Sequence, residues 1–451
     1  MTALLDPLFR TDAMREIFSD TRRLQGMLDF EAALARAQAR TGVTPKTAAA
    51  VIASQCRAEL FNVNALARVC ALAGNPAIPM VKALTALVEK RNKQAAGFVH
   101  LGATSQDAMD TGLVLQLREA LDLVDSDVAR LCGALAKLAK KYRNTPMAGR
   151  TWLQQAVPVT FGLKMAGALD ALQRHRLRLW EMRPRVLVLQ FGGAAGTLAS
   201  LGDKGPRVAT ALAKELKLGE GAVPWHAHRD RVAEVATTLG LLVGSLGKIA
   251  QDIALMTQTE VGEAFEPAEK GKGGSSTMPH KRNPVGCAVV LAAAIKVPAL
   301  VSVMLSAMTQ EHERGLGGWH AEWETLPEIC MLTSGALAHL IAIMEGLEID
   351  PVRMRANLDA THGLILAEAV SAALAPKLGR ESAHGLLEET CKLSVKQRKP
   401  LLNILEQNAV VAKHLSKADL RRLLDPGNYL GASGTFVDRA LAEGTRKRKK
   451  R

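Results

Sequence analysis

Two long stretches of this chain repeat apolar residues at alternating steps of four and three. The first runs Leu117, Leu121, Val124, Val128, Leu131, Leu135, Leu138; the second runs Val235, Leu239, Leu242, Leu246, Ile249, Ile253, Met256. That period matches a helical turn, so each stretch is read as a helix with one continuous apolar seam. At about 1.5 Å per residue each would be roughly 30–40 Å long. A seam of that length needs a helix of similar length against it, which points to a long-helix bundle. Further long helices are expected at about 160–184, 285–310 and 327–347, with Pro327 in the first turn of the last.

Composition agrees with this reading. Hydrophobic residues make up 48% of the 451 residues and aromatics only 4%, which favours helix packed on helix. The expected fold class is all-α, in three parts: an N-terminal helical domain (1–110), a central long-helix bundle (111–350) and a C-terminal helical domain (351–451). Asp425-Pro426-Gly427 marks a turn near the end. The most apolar stretch, residues 285–308, is interrupted by Lys296 and Pro298, so a buried bundle helix is expected there and not a membrane span. The N-terminus lacks a basic segment followed by an apolar run, so no signal peptide is expected. The six cysteines are scattered without close pairs, as free thiols in a reducing cytoplasm would be.

Net charge is +14, of which residues 446–451 supply +6. With no aromatics interleaved for base stacking, that tail is read as solvated, and no nucleic-acid partner is expected. The remaining positive balance would steer an anionic substrate.

The chemistry concentrates in a few strings. Gly273-Gly274-Ser275-Ser276-Thr277-Met278-Pro279-His280-Lys281-Arg282-Asn283-Pro284 combines glycine freedom, two prolines that prevent a helix interior, two adjacent serine hydroxyls, cations and an amide. Such a loop suits an anionic substrate that gains or loses a proton. In His100-Leu101-Gly102-Ala103-Thr104-Ser105-Gln106-Asp107, Asp107 is placed to cap the helix that carries Leu117, and a helix N-terminus holds carboxylates well. Gly149-Arg150-Thr151-Trp152-Leu153-Gln154 is a third string, and Gln310–Pro327, with Arg314, Trp319, His320 and Trp323, a fourth. Two tryptophans in one stretch of so aromatic-poor a chain weaken the reading of a solvated loop. The glycine-rich residues 190–197 match no phosphate-binding pattern, and His226 and His228 lack further ligands at metal spacing.

Together these strings resemble the fumarase/aspartase superfamily. Residues 274–284 carry every fixed position of its G-S-S-x-M-P-x-K-x-N-P loop, and residues 100–107 match H-x-G-x-T-S-x-D. Residues 149–154 match G-R-T-H-x-Q with one departure: Trp152 stands where histidine is usual. An indole has one N–H donor and no basic site, so Trp152 can shape a pocket but cannot take a proton. The fourth string is similar to the H-E-R-containing stretch of adenylosuccinate lyase, but Trp319, His320 and Trp323 occupy the run that binds phosphate there, which argues against a nucleotide substrate.

Residues 10–443 are similar to the superfamily's lactonising cycloisomerases, with a β-eliminating lyase of the adenylosuccinate or argininosuccinate type as the alternative. The resemblance implies addition of one carboxylate of a small tricarboxylate to a carbon–carbon double bond, with protonation of the adjacent carbon. It implies Ser275 and Lys281 as catalytic residues. It further implies His100, Thr104, Ser105, Arg150, Trp152, Gln154, Ser276, Asn283 and Arg314 as substrate-binding. No metal or organic cofactor is implied. A homotetramer is, its long helices forming a shared bundle and its active sites built from several subunits; no membrane partner is expected.

Overall fold

The computed structural model describes residues 4–268, 273–274, 277–278 and 280–448, for the last five of these without side chains. The described chain is overwhelmingly helical. Six helices carry the argument: α1 (Asp20–Arg40), α2 (Ser105–Lys141), α3 (Phe161–Val186), α4 (Asp230–Met256), α5 (Val285–Ser306) and α6 (Gly318–Gly346). Strands β1 (Pro146–Thr151) and β2 (Gln154–Thr160) form one antiparallel hairpin, and the short β3 (Ala264–Phe265) and β4 (Glu348–Ile349) pair antiparallel.

By internal contacts the chain forms two compact units. The first comprises Met1–Ala129, His175–Gly247 and Val289–His339; the second comprises Arg130–Arg174, Lys248–Ala288 and Leu340–Arg451. This is a division by spatial contact, whereas the three parts expected from sequence follow chain order.

Both apolar seams are real. Leu117, Leu121, Val124, Val128, Leu131 and Leu135 of α2 are buried, and all seven seam residues of α4 are buried. At 37 residues α2 is longer than its seam alone suggested. Within the first unit two glycines of α4 let α5 approach: a Cβ on Gly240 would lie 2.9 Å from Val301, and one on Gly247 would lie 2.6 Å from Ala294. The partners step back by seven as the glycines step forward by seven, so the two helices run antiparallel along this seam.

Helix α6 starts nearer the Gly-Gly turn than expected, at Gly318, and Pro327 lies inside it instead of in its first turn. A proline there lacks the N–H that would bond the carbonyl of Trp323 one turn earlier. Arg23 from α1 donates to that carbonyl at 2.9 Å, which explains how an interior proline is tolerated.

By length and composition alone α4, α5 and α6 could each cross a membrane, but they differ in how much of the apolar window the chain itself covers. The shares are 61% and 78% for α4 and α6, against 28% for α5. Helix α5 is therefore not the chain-buried bundle helix expected: Ile295 is 77% exposed. The exposed or half-exposed residues Val285, Ala288, Ala292, Ile295, Ala299, Ser302 and Ser306 repeat at steps of three and four.

In the second unit the C-terminal helices enclose their own apolar core of Val370, Leu374, Leu387, Leu401, Leu405, Val411 and Leu420. The expected turn at 425–427 is closed by the Asp425 carboxylate, which accepts from the Gly427 N–H at 3.1 Å.

Candidate active site

In the first unit the functional strings converge on the N-terminus of α2. The helix begins at Ser105, so Asp107 is not its cap but sits in its first turn. Its side chain reaches back to accept from the Thr104 N–H at 3.0 Å. The same fully buried carboxylate accepts from Gly192 N–H at 3.0 Å and Gly193 N–H at 2.9 Å, and lies 2.7 Å from His226 Nε2. Asp107 thus ties the glycine-rich segment 190–197 and His226 to the start of α2. Gly192 is required there, because a Cβ would lie 2.7 Å from Pro224 and 2.8 Å from His226. The segment and the histidine that had no assignment from sequence are the scaffold of this helix end. Thr104 and Ser105 stand half-buried at the N-terminus of a long helix, where unpaired N–H groups and the helix dipole favour an anion.

His100 precedes this turn with its backbone in the left-handed region, φ +59°. Its Nδ1 lies 2.5 Å from the carboxylate of Glu31 on α1, a residue sequence reasoning did not single out. One turn-pair along α1, Gln38 donates to the Leu101 carbonyl at 2.6 Å.

Arg314 is held beside the same turn. Its Nε donates to Gln106 Oε1 at 3.1 Å and one Nη donates to the Ala194 carbonyl at 3.0 Å. Gln106 also donates to Asp110 at 3.1 Å, and Asp110 shares the buried Arg229 with Glu322. Trp319 is buried, donates to Asp110 at 3.0 Å and packs edge-on against Trp323 at 4.9 Å between ring centres. The fourth string is thus partly core rather than a solvated connector.

In the second unit Arg150, Trp152 and Gln154 belong to the β1–β2 hairpin. Gly149 sits where the register shifts, and a Cβ there would come within 2.6 Å of the Val157 carbonyl. Arg150 makes a bidentate pair with the buried Glu263 at 2.7 and 2.9 Å, so its charge is compensated locally. Glu263 also accepts from Asn357 at 2.8 Å. The two turn residues, Trp152 (φ +52°) and Leu153 (φ +63°), are both left-handed. Such a turn usually takes Asn-Gly, and non-glycine residues there cost about 1–2 kcal/mol each. Trp152 is 98% exposed, so the chain's own packing does not enclose it.

The signature loop is pinned at its base. Asn283 N–H donates to the Gly273 carbonyl at 2.9 Å, and a Cβ on Gly273 (φ +69°) would lie 2.6 Å from the Asn283 carbonyl. Arg282, which sequence reasoning passed over, donates to Glu348 at 2.8 Å and to the Glu266 carbonyl at 2.7 Å. The Glu266 carboxylate in turn accepts from Gly286 and Cys287, capping α5 at 3.1 and 2.7 Å. Lys281 stays exposed and Asn283 half-buried at this anchored end. The expected catalytic Ser275 and its neighbour Ser276 lie outside the described residues, as do residues 449–451 of the basic tail. Among the described residues no cluster of three His, Cys, Asp or Glu side chains could hold a metal.

The family described as Lyase matches residues 9–299, and the adenylosuccinate lyase C-terminus matches residues 363–440. The chain belongs to this lyase family, the fumarase/aspartase superfamily. Within it, the chain is 60% identical to the 3-carboxy-cis,cis-muconate cycloisomerase of Pseudomonas aeruginosa over 98% of this chain and 96% of that one. The crystal structure of the 3-carboxy-cis,cis-muconate lactonizing enzyme from Pseudomonas putida superposes with a TM-score of 0.94 at 56% identity, covering 99% of both chains. That of beta-carboxy-cis,cis-muconate cycloisomerase from Acinetobacter calcoaceticus gives 0.93 at 45%, covering 98% of this chain and 100% of that one.

Proposed function

We infer that the chain is a cycloisomerase that closes 3-carboxy-cis,cis-muconate to 4-carboxymuconolactone, an intramolecular lyase reaction of the protocatechuate branch of aromatic catabolism. The observation that carries this is its similarity over nearly its whole length to enzymes of that name. The alternative, an adenylosuccinate- or argininosuccinate-type elimination, lacks support of this closeness.

In the reaction one substrate carboxylate adds to a double bond while a proton is delivered to the carbon beside another carboxylate. Negative charge builds on that second carboxylate until the carbon is protonated. Lys281, Asn283, Thr104 and Ser105 are proposed to donate to it; a well-placed donor contributes roughly 3–4 kcal/mol. Ser275 is proposed to deliver the proton, with Lys281 tuning it. The remaining carboxylates are assigned to His100, Arg314 and Ser276, with Gln154. Trp152 is proposed to wall the pocket, and Arg150, which also pairs with Glu263, to bind a substrate carboxylate. No metal or organic cofactor takes part in this proposal.

A homotetramer is part of the same reading. Both long seams are covered within the chain, but α5 leaves its own apolar stripe bare, as a helix shared between subunits does. The three-part division at residues 110 and 350 belongs to the proposal as well, as does a cytoplasmic location, which six free cysteines suit.

Loss of the substrate's conjugated-diene absorbance tests the proposal. Wild type should remove it rapidly and Ser275→Ala should be about 10²–10⁴-fold slower. Equal rates would remove Ser275 from its role, and no loss with folded wild type would sink the cycloisomerase reading.

A further inference from the structure

The His100–Glu31 contact is built with unusual care. Glu31 is 1% exposed, on a helix whose other buried positions are apolar apart from Gln38. One of its oxygens meets His100 Nδ1 at 2.5 Å, and the other is buried without a partner among the described residues. The loop carrying His100 is fastened twice more, by Gln38 on Leu101 and by Asp107 on Thr104. The histidine pays a backbone penalty at φ +59° to reach this position. A buried carboxylate bonded to only one neutral ring would be poorly compensated. Fixing Nδ1 this way leaves Nε2 as the ring nitrogen able to address a ligand.

We propose that Glu31 is a positioning residue that holds His100 as an imidazolium, with its Nε2–H directed at a carboxylate of the substrate. The proposal rests on the cycloisomerase reading for its substrate but not for the state of the histidine. The charged groups around the ring agree with it. Burial pushes the imidazole's pKa down, but the Glu31 charge and hydrogen bond, with Asp107 on α2, outweigh this and leave it raised. Cys56, whose thiol burial and the nearby Glu31 push up, stays neutral and does not compete for Glu31.

Three measurements on the full-length enzyme test this. The first is NMR titration of ring-labelled histidine, with His100 assigned by loss of its signal in His100→Gln. The wild-type ring should titrate above an ordinary imidazole, and in Glu31→Gln its midpoint should fall. The second is the pH profile of kcat/KM for 3-carboxy-cis,cis-muconate: its alkaline limb should move to lower pH in Glu31→Gln, with KM raised about ten- to a hundredfold and kcat changed less. Glu31→Asp should restore part of the loss. The third is a double-mutant cycle: in a His100→Gln background Glu31→Gln should cost nothing further. A wild-type His100 that titrates below an ordinary imidazole overturns the proposal even if no Glu31 variant folds. A full additional loss in the His100→Gln background overturns it too, because Glu31 would then act otherwise than through His100. An inactive wild type with the expected titration would instead count against the substrate assignment alone.

Discussion

Burial leaves Glu31 with little besides His100 to balance its charge, and this ties folding stability to pH. A histidine raised in the folded state contributes fully below its unfolded value, about 6.5. That contribution is lost as pH rises through the higher folded value. Denaturant unfolding of wild type should therefore show stability falling on alkalisation from neutral pH, and Glu31→Gln should lack that slope; parallel curves would contradict the pairing. Asp107 offers a second case. It ties Thr104, Gly192, Gly193 and His226 together, and hydrogen bonds to a charged group contribute about 1.5–3 kcal/mol each. Asp107→Asn should lower unfolding free energy by at least about 2 kcal/mol, read from the denaturation midpoint at constant m. The sequence pointed to Asp107 through its motif, though as a cap. It gave no sign of Glu31, because the two halves of that contact lie 69 residues apart and only folding brings them together.

At the scale of elements the long helices were readable because a seam repeated over several heptads leaves few alternatives. Where a helix starts was less so: α6 begins ahead of Pro327 because Arg23 satisfies the carbonyl that the proline leaves open, and α1 is remote in sequence. The hairpin was not legible either. Trp152-Leu153 is a poor turn sequence, and its left-handed backbone is set by the strands on either side. The α4–α5 contact is sensitive at Gly247, where a Cβ would lie 2.6 Å from Ala294. Gly247→Leu should destabilise by about 1–3 kcal/mol through overpacking, measurable by thermal or chemical unfolding. An unchanged midpoint would mean that the helices can separate at little cost.

For the whole molecule the exposed stripe of α5 is the feature that one chain does not resolve by itself. If the proposed homotetramer is right, placing a charge in it, as in Ile295→Glu, should lower the mass observed by analytical ultracentrifugation and reduce turnover with it. An unchanged mass would remove α5 from the proposed interface. The sequence announced this helix as apolar but could not say which of its faces its own chain would cover, since that depends on where α4 lands.

The interleaving of the two compact units has a consequence for how the protein comes into being. The chain contributes to each unit in three separate stretches, the last of the first ending at His339 and the last of the second at Arg451. During synthesis the second unit therefore waits for its third stretch, from Leu340, although its earliest, from Arg130, emerges long before. Neither unit can be cut out and expressed as a contiguous fragment, and a late frameshift or truncation strips the closing stretch from a unit already begun. Quality control in the cell would meet such a product as one with a completed part and an orphaned one.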